Sequence, residues 1–530
     1  MTKTSSRAIV GIAMLASLAW SPPALGQDAE QQLGTVHFVT SCNQPAQQRF
    51  DRAMRYQHSF WYRASREGFE QVLQADPRCA MAYWGIALSM LMNPHVPTPR
   101  DNLALGLATL QKATTLPAPT PRERDYITAL LAFYTDHDTL AHGARVQRYL
   151  EAMAALAERY PDDDEAQIGY ALALSAATSP NDKTYANQLR GAAILEPIFR
   201  RQPRHPGVAH YLIHLYDYPP IAARGLDAAK RYAEIAPAAP HALHMPSHIF
   251  TRVGSWKESI ATNAASARAA KAGNEPHDQL HAMDYMVYAH LQLAQDSEAR
   301  AAIVEMAAVT GYNPNIRTGP FAVAASQARY MVERSDWAGA AGLRPPESRF
   351  AYVDAITRFA RALGAARSGN PAADRTDIAK RADLRDALRQ ANDRYWAEQV
   401  DIQWRVASAW VLQDEGKRDE ALSAMSAAAD AEDNTEKSIV TPGPLAPARE
   451  LYGAMLLERG QARDALAAFE AALVKEPNRF NGLAGAAKAA EMLGDTARAK
   501  AYYEKLLALA SSSNANRTEV TTARRFLAGH

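Results

Sequence analysis

A 34-residue periodicity in the C-terminal part of the chain constrains its fold more than any other feature. Gly453, Leu456, Gly460, Ala465, Phe469, Ala472 and Pro477 set small, apolar, turn, small, aromatic, small and stop residues in order. Ala487, Gly494, Ala499 and Tyr503 repeat the small, turn, small and aromatic positions 34 residues later, in a unit containing LGDTARAKAYYEKLLALA. A unit of this kind is a helix-turn-helix pair in which small residues let the helices approach and the aromatic fills the space between successive pairs. One such pair exposes an apolar face, so stability requires stacked neighbours. Weaker copies recur around Phe69 and Pro77, around Ala340, and around Gly416 and Ala421. Strand signals are absent, and the predicted fold class is all-α, an α-solenoid of repeated helix pairs.

These residues resemble the tetratricopeptide repeat (TPR) family, and the degraded pattern extends over roughly the whole chain after its leader. Residues 1–26 read as a signal peptide, 27–115 as an N-terminal arm with the first TPR-like helices, and 121–310 as His-rich repeats. Degenerate helical repeats are expected over 311–400, C-terminal TPR units over 401–510 and a frayed tail over 511–530. Pro117 to Pro121, Gly369 to Arg375 and Asp430 to Pro447 interrupt the array with turn and linker residues. The segment LGTVHFVTSC reads as an extended arm before the first helix.

The leader has Lys3 and Arg7 before an apolar run from Ala8 to Trp20, then Ala24, Leu25 and Gly26 at the cleavage region. That run is short of the roughly 20 residues needed to cross hydrocarbon. The expected product is a periplasmic or secreted protein beginning at Gln27, with no membrane span after signal removal. Lys plus Arg (58) nearly balances Asp plus Glu (57), which offers no field for nucleic acid or anionic lipid. The two cysteines, Cys42 and Cys79, would enter a compartment where disulfides persist. A bridge between them is favoured over a reactive thiol or a thiolate metal ligand, because neither has a CxxC neighbour.

Histidine is the residue that carries chemistry here: nine of the 15 lie between His205 and His290. HYLIHLYDYPP and HALHMPSHIF hold most of them, and His210 with His244, like His214 with His248, are 34 residues apart. Within each run the pair is four apart, which puts both imidazoles on one helix face. The TPR resemblance implies which face: His210, His214 and Asp217, and His241, His244 and His248, take positions that line the concave groove. If Ala299 takes the place of Ala499, His281 and Asp284 line it too. The candidate metal set is therefore His210, His214, His241, His244, His248, His281, Asp217 and Asp284, a nitrogen-rich set suited to zinc, copper or iron. Against it stand two bland readings. Pro246 would start its helix late and leave His241 and His244 in a loop, or the imidazoles would simply hydrogen-bond a peptide.

The segments HSFWY, CAMAYWGIA, HYLIH, PHALHMPSHIF and DYMVY resemble a group of large exported bacterial TPR proteins, mostly without an assigned activity. The resemblance covers about His37 to His290 and implies a dedicated site in the first half. HExxH, GxSxG, a Walker loop and CxxCH are all absent. Two functions follow from these patterns. One is a periplasmic solenoid that holds a peptide, protein or small molecule in its groove, without nucleic acid. The other is a metal-binding protein or metalloenzyme with a His/Asp site built across adjacent repeats.

Overall fold

The computed structural model describes residues 32–116, 120–179, 181–369, 371–513 and 516–530, without the side chains of 371–375. The signal-peptide reading of residues 1–26 lies outside the described residues. All regular structure among the described residues is helical, and successive helices pack as antiparallel pairs, so the protein is a TPR-like α-solenoid. The 34-residue units at the C-terminal end are helices Ala448–Glu458 with Ala462–Lys475, and Phe480–Met492 with Thr496–Leu509. The Phe469 ring lies against both Gly453 and Gly485, leaving no room for a Cβ at Gly485. Close approach around an aromatic is thus the reason for the small residues.

Left-handed turn residues fix the register of the histidine repeats. Gly254 and Gly494 have φ of +71° and +72°, and Ala294 adopts φ of +52° at the corresponding turn. Gly254 and Ala294 are 40 residues apart, six more than the repeat, the excess lying around Asn274 to Pro276. An alanine there accepts backbone strain that glycine avoids, and burial of Ala294 at 0% exposure shows packing holding it.

Several boundaries differ from the sequence reading. The interruption at Gly369 to Arg375 shrinks, because a helix already begins at Pro371. The 511–530 tail is not frayed: helix Thr518–Gly529 buries Val520 and Ala523 and sets Phe526 5.0 Å from the Tyr503 ring. Three apolar residues on one face suffice to dock a last helix. The arm before residue 44 has no helix among its described residues and is pinned by burial of Leu33, Val36 and Phe38 and by the Thr35 N–H donating to the Arg204 carbonyl. Cys42 and Cys79 are joined by a disulfide that ties this arm to the start of helix Ala80–Leu91. No described helix is long and apolar enough to cross a membrane.

The solenoid curls until distant repeats touch. The Trp256 indole N–H donates to the Asn478 carbonyl at 2.8 Å, and the Phe480 N–H donates to Gln292. Arg479, fully buried, binds Glu450, Glu333 and the Tyr288 hydroxyl together. On the opposite side, Trp61 and Arg63 both donate to Glu275. The histidine repeats therefore sit inside a closed coil, with the N-terminal helices on one flank and the C-terminal repeats on the other.

Candidate functional site: a paired histidine cluster

Helix Pro206–Tyr216 opens with Pro206 in its first turn and His205 as its cap, whose Nδ1 accepts from the Val208 N–H. Every residue of that helix is buried. The next two segments, Pro240–His244 and Pro246–Arg252, form one helical run, because Met245 between them keeps φ of −52° and ψ of −37°. Pro246 removes one hydrogen bond without turning the chain. His241 and His244 are thus helical, not in a loop. Met245 itself is fully buried packing.

The six candidate histidines come together as two triads of the same construction. His244 and His248 join His281, and His210 and His214 join His241, with one nitrogen from each member of a triad within 4.8 Å of the others. Each triad takes a pair four residues apart from one helical run and a third histidine from the N-terminal half of the next. His241 and His281, like the turn residues Gly254 and Ala294 that follow them, are 40 residues apart. The triads adjoin: ring centroids lie 5.9 Å apart for His214 and His248, and 6.0 Å for His241 and His244.

Hydrogen bonds fix the tautomers in the His244 triad. The His248 Nδ1–H donates to Asp217 Oδ2 at 2.9 Å, and the His244 Nδ1–H donates to Asn263 Oδ1 at 2.6 Å. Asn263 cannot be turned around, because its amide N–H₂ donates to the Ser259 carbonyl. Both Nε2 atoms therefore carry lone pairs, and they face each other at 3.0 Å. Two acceptors at that distance repel unless a cation lies between or beside them. Ligands held about 2.05 Å from one ion would subtend about 95° at this separation, a few tenths of an ångström tighter than tetrahedral.

A proton is a poor substitute for that cation. Burial pushes the His248 imidazole pKa down although Asp217 opposes it, and burial with neighbouring imidazoles takes His244 well below the usual range. His281 is lowered to about 3, first by burial and then by His248 and Lys437. Neutral imidazoles are the form that ligates metal.

Asp217 is not placed as a ligand. Its Oδ2 takes His248 and the Lys437 ammonium at 2.7 Å, and its Oδ1 takes Arg252 at 2.9 Å. Both oxygens are engaged by cations or by His248, and the carboxylate orients an imidazole instead. Burial alone would raise its pKa, but Lys437 and Arg252 hold it far below the carboxylate range. Asp284 is also absent from the cluster: its Oδ1 pairs with Arg329 and accepts from Ser326 in the following repeat. Tyr285, one residue on, turns its ring to His244 and His248 at 4.7 and 5.2 Å. A one-residue step around the helix separates the two fates.

The His210 triad is less constrained. His210 donates its Nδ1–H to the His58 carbonyl at 2.7 Å, so its Nε2 lone pair meets His214 Nε2 at 3.0 Å. His214 Nδ1 and His241 Nε2 are buried without a hydrogen-bond partner, and so is Nε2 of His95, whose ring lies 4.9 Å from His214. A third group, His58, Glu165 and His205, has metal-like spacing but closed bonding. Both histidines donate Nε2–H to Glu165, while His58 Nδ1 accepts from Tyr211 and His205 Nδ1 from Val208. No ring-nitrogen lone pair is left over, and this group is structural.

The concave face over the cluster is filled by the chain's own 435–447 segment, within the interruption read as a linker. Glu436 accepts from Lys183 and Tyr185, Lys437 reaches Asp217, and the Thr441 carbonyl accepts from Tyr285. A peptide would have to displace this strap to reach the histidines. Beside it a cavity of about 530 Å³ is lined by His95, His214, Asp217, Lys437, Arg317 and Tyr395, among others. His95, Asn263 and Lys437 escaped sequence reasoning. Nothing in MNPHVP or in the strap marks them, since Lys437 lies 220 residues from its partner.

No family model and no curated protein matches this chain. Among solved structures, the Naa15/Naa10 complex bound to HypK-THB shares 12% identity over 91% of this chain and 77% of that chain, with a TM-score of 0.24. A monomeric IFIT1 mutant with Gppp-AAAA shares 12% identity over 91% and 99%, with a TM-score of 0.36.

Proposed function

We propose that this protein is a transition-metal-binding protein whose metal is held by Nε2 of His244, Nε2 of His248 and one nitrogen of His281. The observation that carries the reading is the 3.0 Å meeting of two Nε2 lone pairs whose tautomers Asp217 and Asn263 have already set. Three neutral imidazoles leave a fourth position open on a tetrahedral ion, and the His248 to Asp217 contact is the usual carboxylate support of a ligating histidine. An all-nitrogen set suits zinc or copper and disfavours calcium and magnesium. When bound, the ion would supply Lewis acidity or, as copper, a redox couple. The leader and the Cys42–Cys79 bridge support a place outside the cytoplasm.

The test is elemental analysis of untagged protein, beside His248→Ala and His281→Ala variants shown to be folded by circular dichroism. Near-stoichiometric zinc or copper, lost in both variants, is expected. Folded wild-type protein that neither carries metal nor takes it up on dialysis against zinc or copper would overturn the reading.

A further inference from the structure

We infer that His210, His214 and His241 hold a second transition-metal ion beside the first, and that this second ion is the one small molecules reach. The inference rests on the reading of the His244 triad as a metal site, because its main argument is duplication. The same three-residue construction, a histidine pair on one helical run and a histidine of the next run set at a fixed distance before its left-handed turn residue, occurs twice. A structural role for histidine would not need the third member to recur at the same distance before the turn.

The second triad adds its own signs of a missing electrophile. His214 Nε2 can answer the His210 lone pair at 3.0 Å as an N–H donor, but His214 Nδ1 is then a buried lone pair without a partner, and His241 Nε2 and His95 Nε2 are buried without partners beside it. A buried polar nitrogen left without a bond loses its hydration with nothing in return. Several in one place mark a ligand site better than a packing choice. The Phe60 ring packed against His210 supplies no proton donor to these lone pairs.

Access separates the two sites. The cavity of about 530 Å³ includes His214 and His95 in its wall but none of His244, His248 and His281. The first ion would therefore be enclosed, and the second would face the cavity with His95 beside it. A small oxygen or nitrogen donor entering from the cavity would complete its coordination there. In that wall Lys437 is paired with Asp217, Arg317 with Asp393 and Glu436 with Lys183, while Arg394 donates to the neutral Asn392 side chain and leaves a positive charge that favours a small anionic visitor.

The experiment titrates cobalt(II) into metal-free, full-length protein and follows its d–d absorption, with azide as the probe for an open position. Wild type is expected to bind two equivalents, and azide is expected to shift the bands of one. His241→Asn should bind one equivalent and lose the azide response, while keeping the cobalt held by the His244 triad as a check on folding. His95→Ala should keep two equivalents and weaken the azide response several-fold. One equivalent in wild type, retained in His241→Asn and lost in His281→Ala, would overturn the second site and leave the first standing. No cobalt in wild type would overturn both. Two equivalents without any azide effect would overturn the open position.

Discussion

His244 and His248 point their Nε2 atoms at each other across 3.0 Å, with both Nδ1 protons already committed to Asn263 and Asp217. This contact is repulsive unless a cation is bound, so the residues that hold the protons control affinity.

Replacing Asn263 by alanine should free the His244 tautomer and weaken metal binding by about 10- to 100-fold, the usual effect of losing a supporting bond. Asp217→Asn should act similarly on His248. Competition with a chelator of known affinity measures both. Unchanged affinity in Asn263→Ala would show that the tautomer lock is not what prepares the site.

Acid should destabilise the metal-free protein. Burial lowers His210 and His281 to about 3 and His95 to about 4, whereas unfolded histidine titrates near pH 6.5. Above about pH 6.5 neither state binds these protons, and the groups contribute nothing to the pH slope. Below it the unfolded chain takes up protons that the fold refuses, so stability falls as pH falls toward 3. Thermal melts between about pH 8 and about pH 4 should show the decline starting near pH 6.5. Metal loading should raise the melting temperature at neutral pH, and that gain should shrink on the acid side.

Closure of the coil can be tested at Arg479. Its guanidinium joins Glu333 and Glu450 with almost no exposure, and they hold its pKa well above the usual value against the effect of burial. Arg479→Met would leave two buried carboxylates unpaired, at a cost of about 3–5 kcal/mol. Denaturant unfolding should register that loss. A change under about 1 kcal/mol would mean the carboxylates find water or protons cheaply.

The Cys42–Cys79 bridge closes a loop of sequence separation 37. Reduction, or Cys42→Ser with Cys79→Ser, should cost about 3 to 4 kcal/mol by restoring freedom to the unfolded chain. Equilibrium unfolding with and without reductant measures it, and metal content should stay the same, because the bridge lies outside the cluster.

The sequence by itself determined the solenoid and the imidazoles of the site. Periodicity is a local property: a 34-residue spacing of small, aromatic and turn residues dictates helix pairs whatever lies elsewhere. The four-residue spacing of His210 with His214, and of His244 with His248, places each pair on one helix face. His281 was found only through a register that assumed Ala299 matches Ala499, which the left-handed Ala294 bears out. The carboxylates could not be assigned in this way. Asp284 shares the register but faces Arg329, because its contact is chosen by the following repeat, and Asp217 is claimed by Arg252 and Lys437. Only the tertiary structure decided that the groove is covered by residues 435–447 and that His95 stands beside His214. Those contacts join segments more than a hundred residues apart, and their geometry comes from the cumulative curl of many helix pairs, which no single repeat encodes.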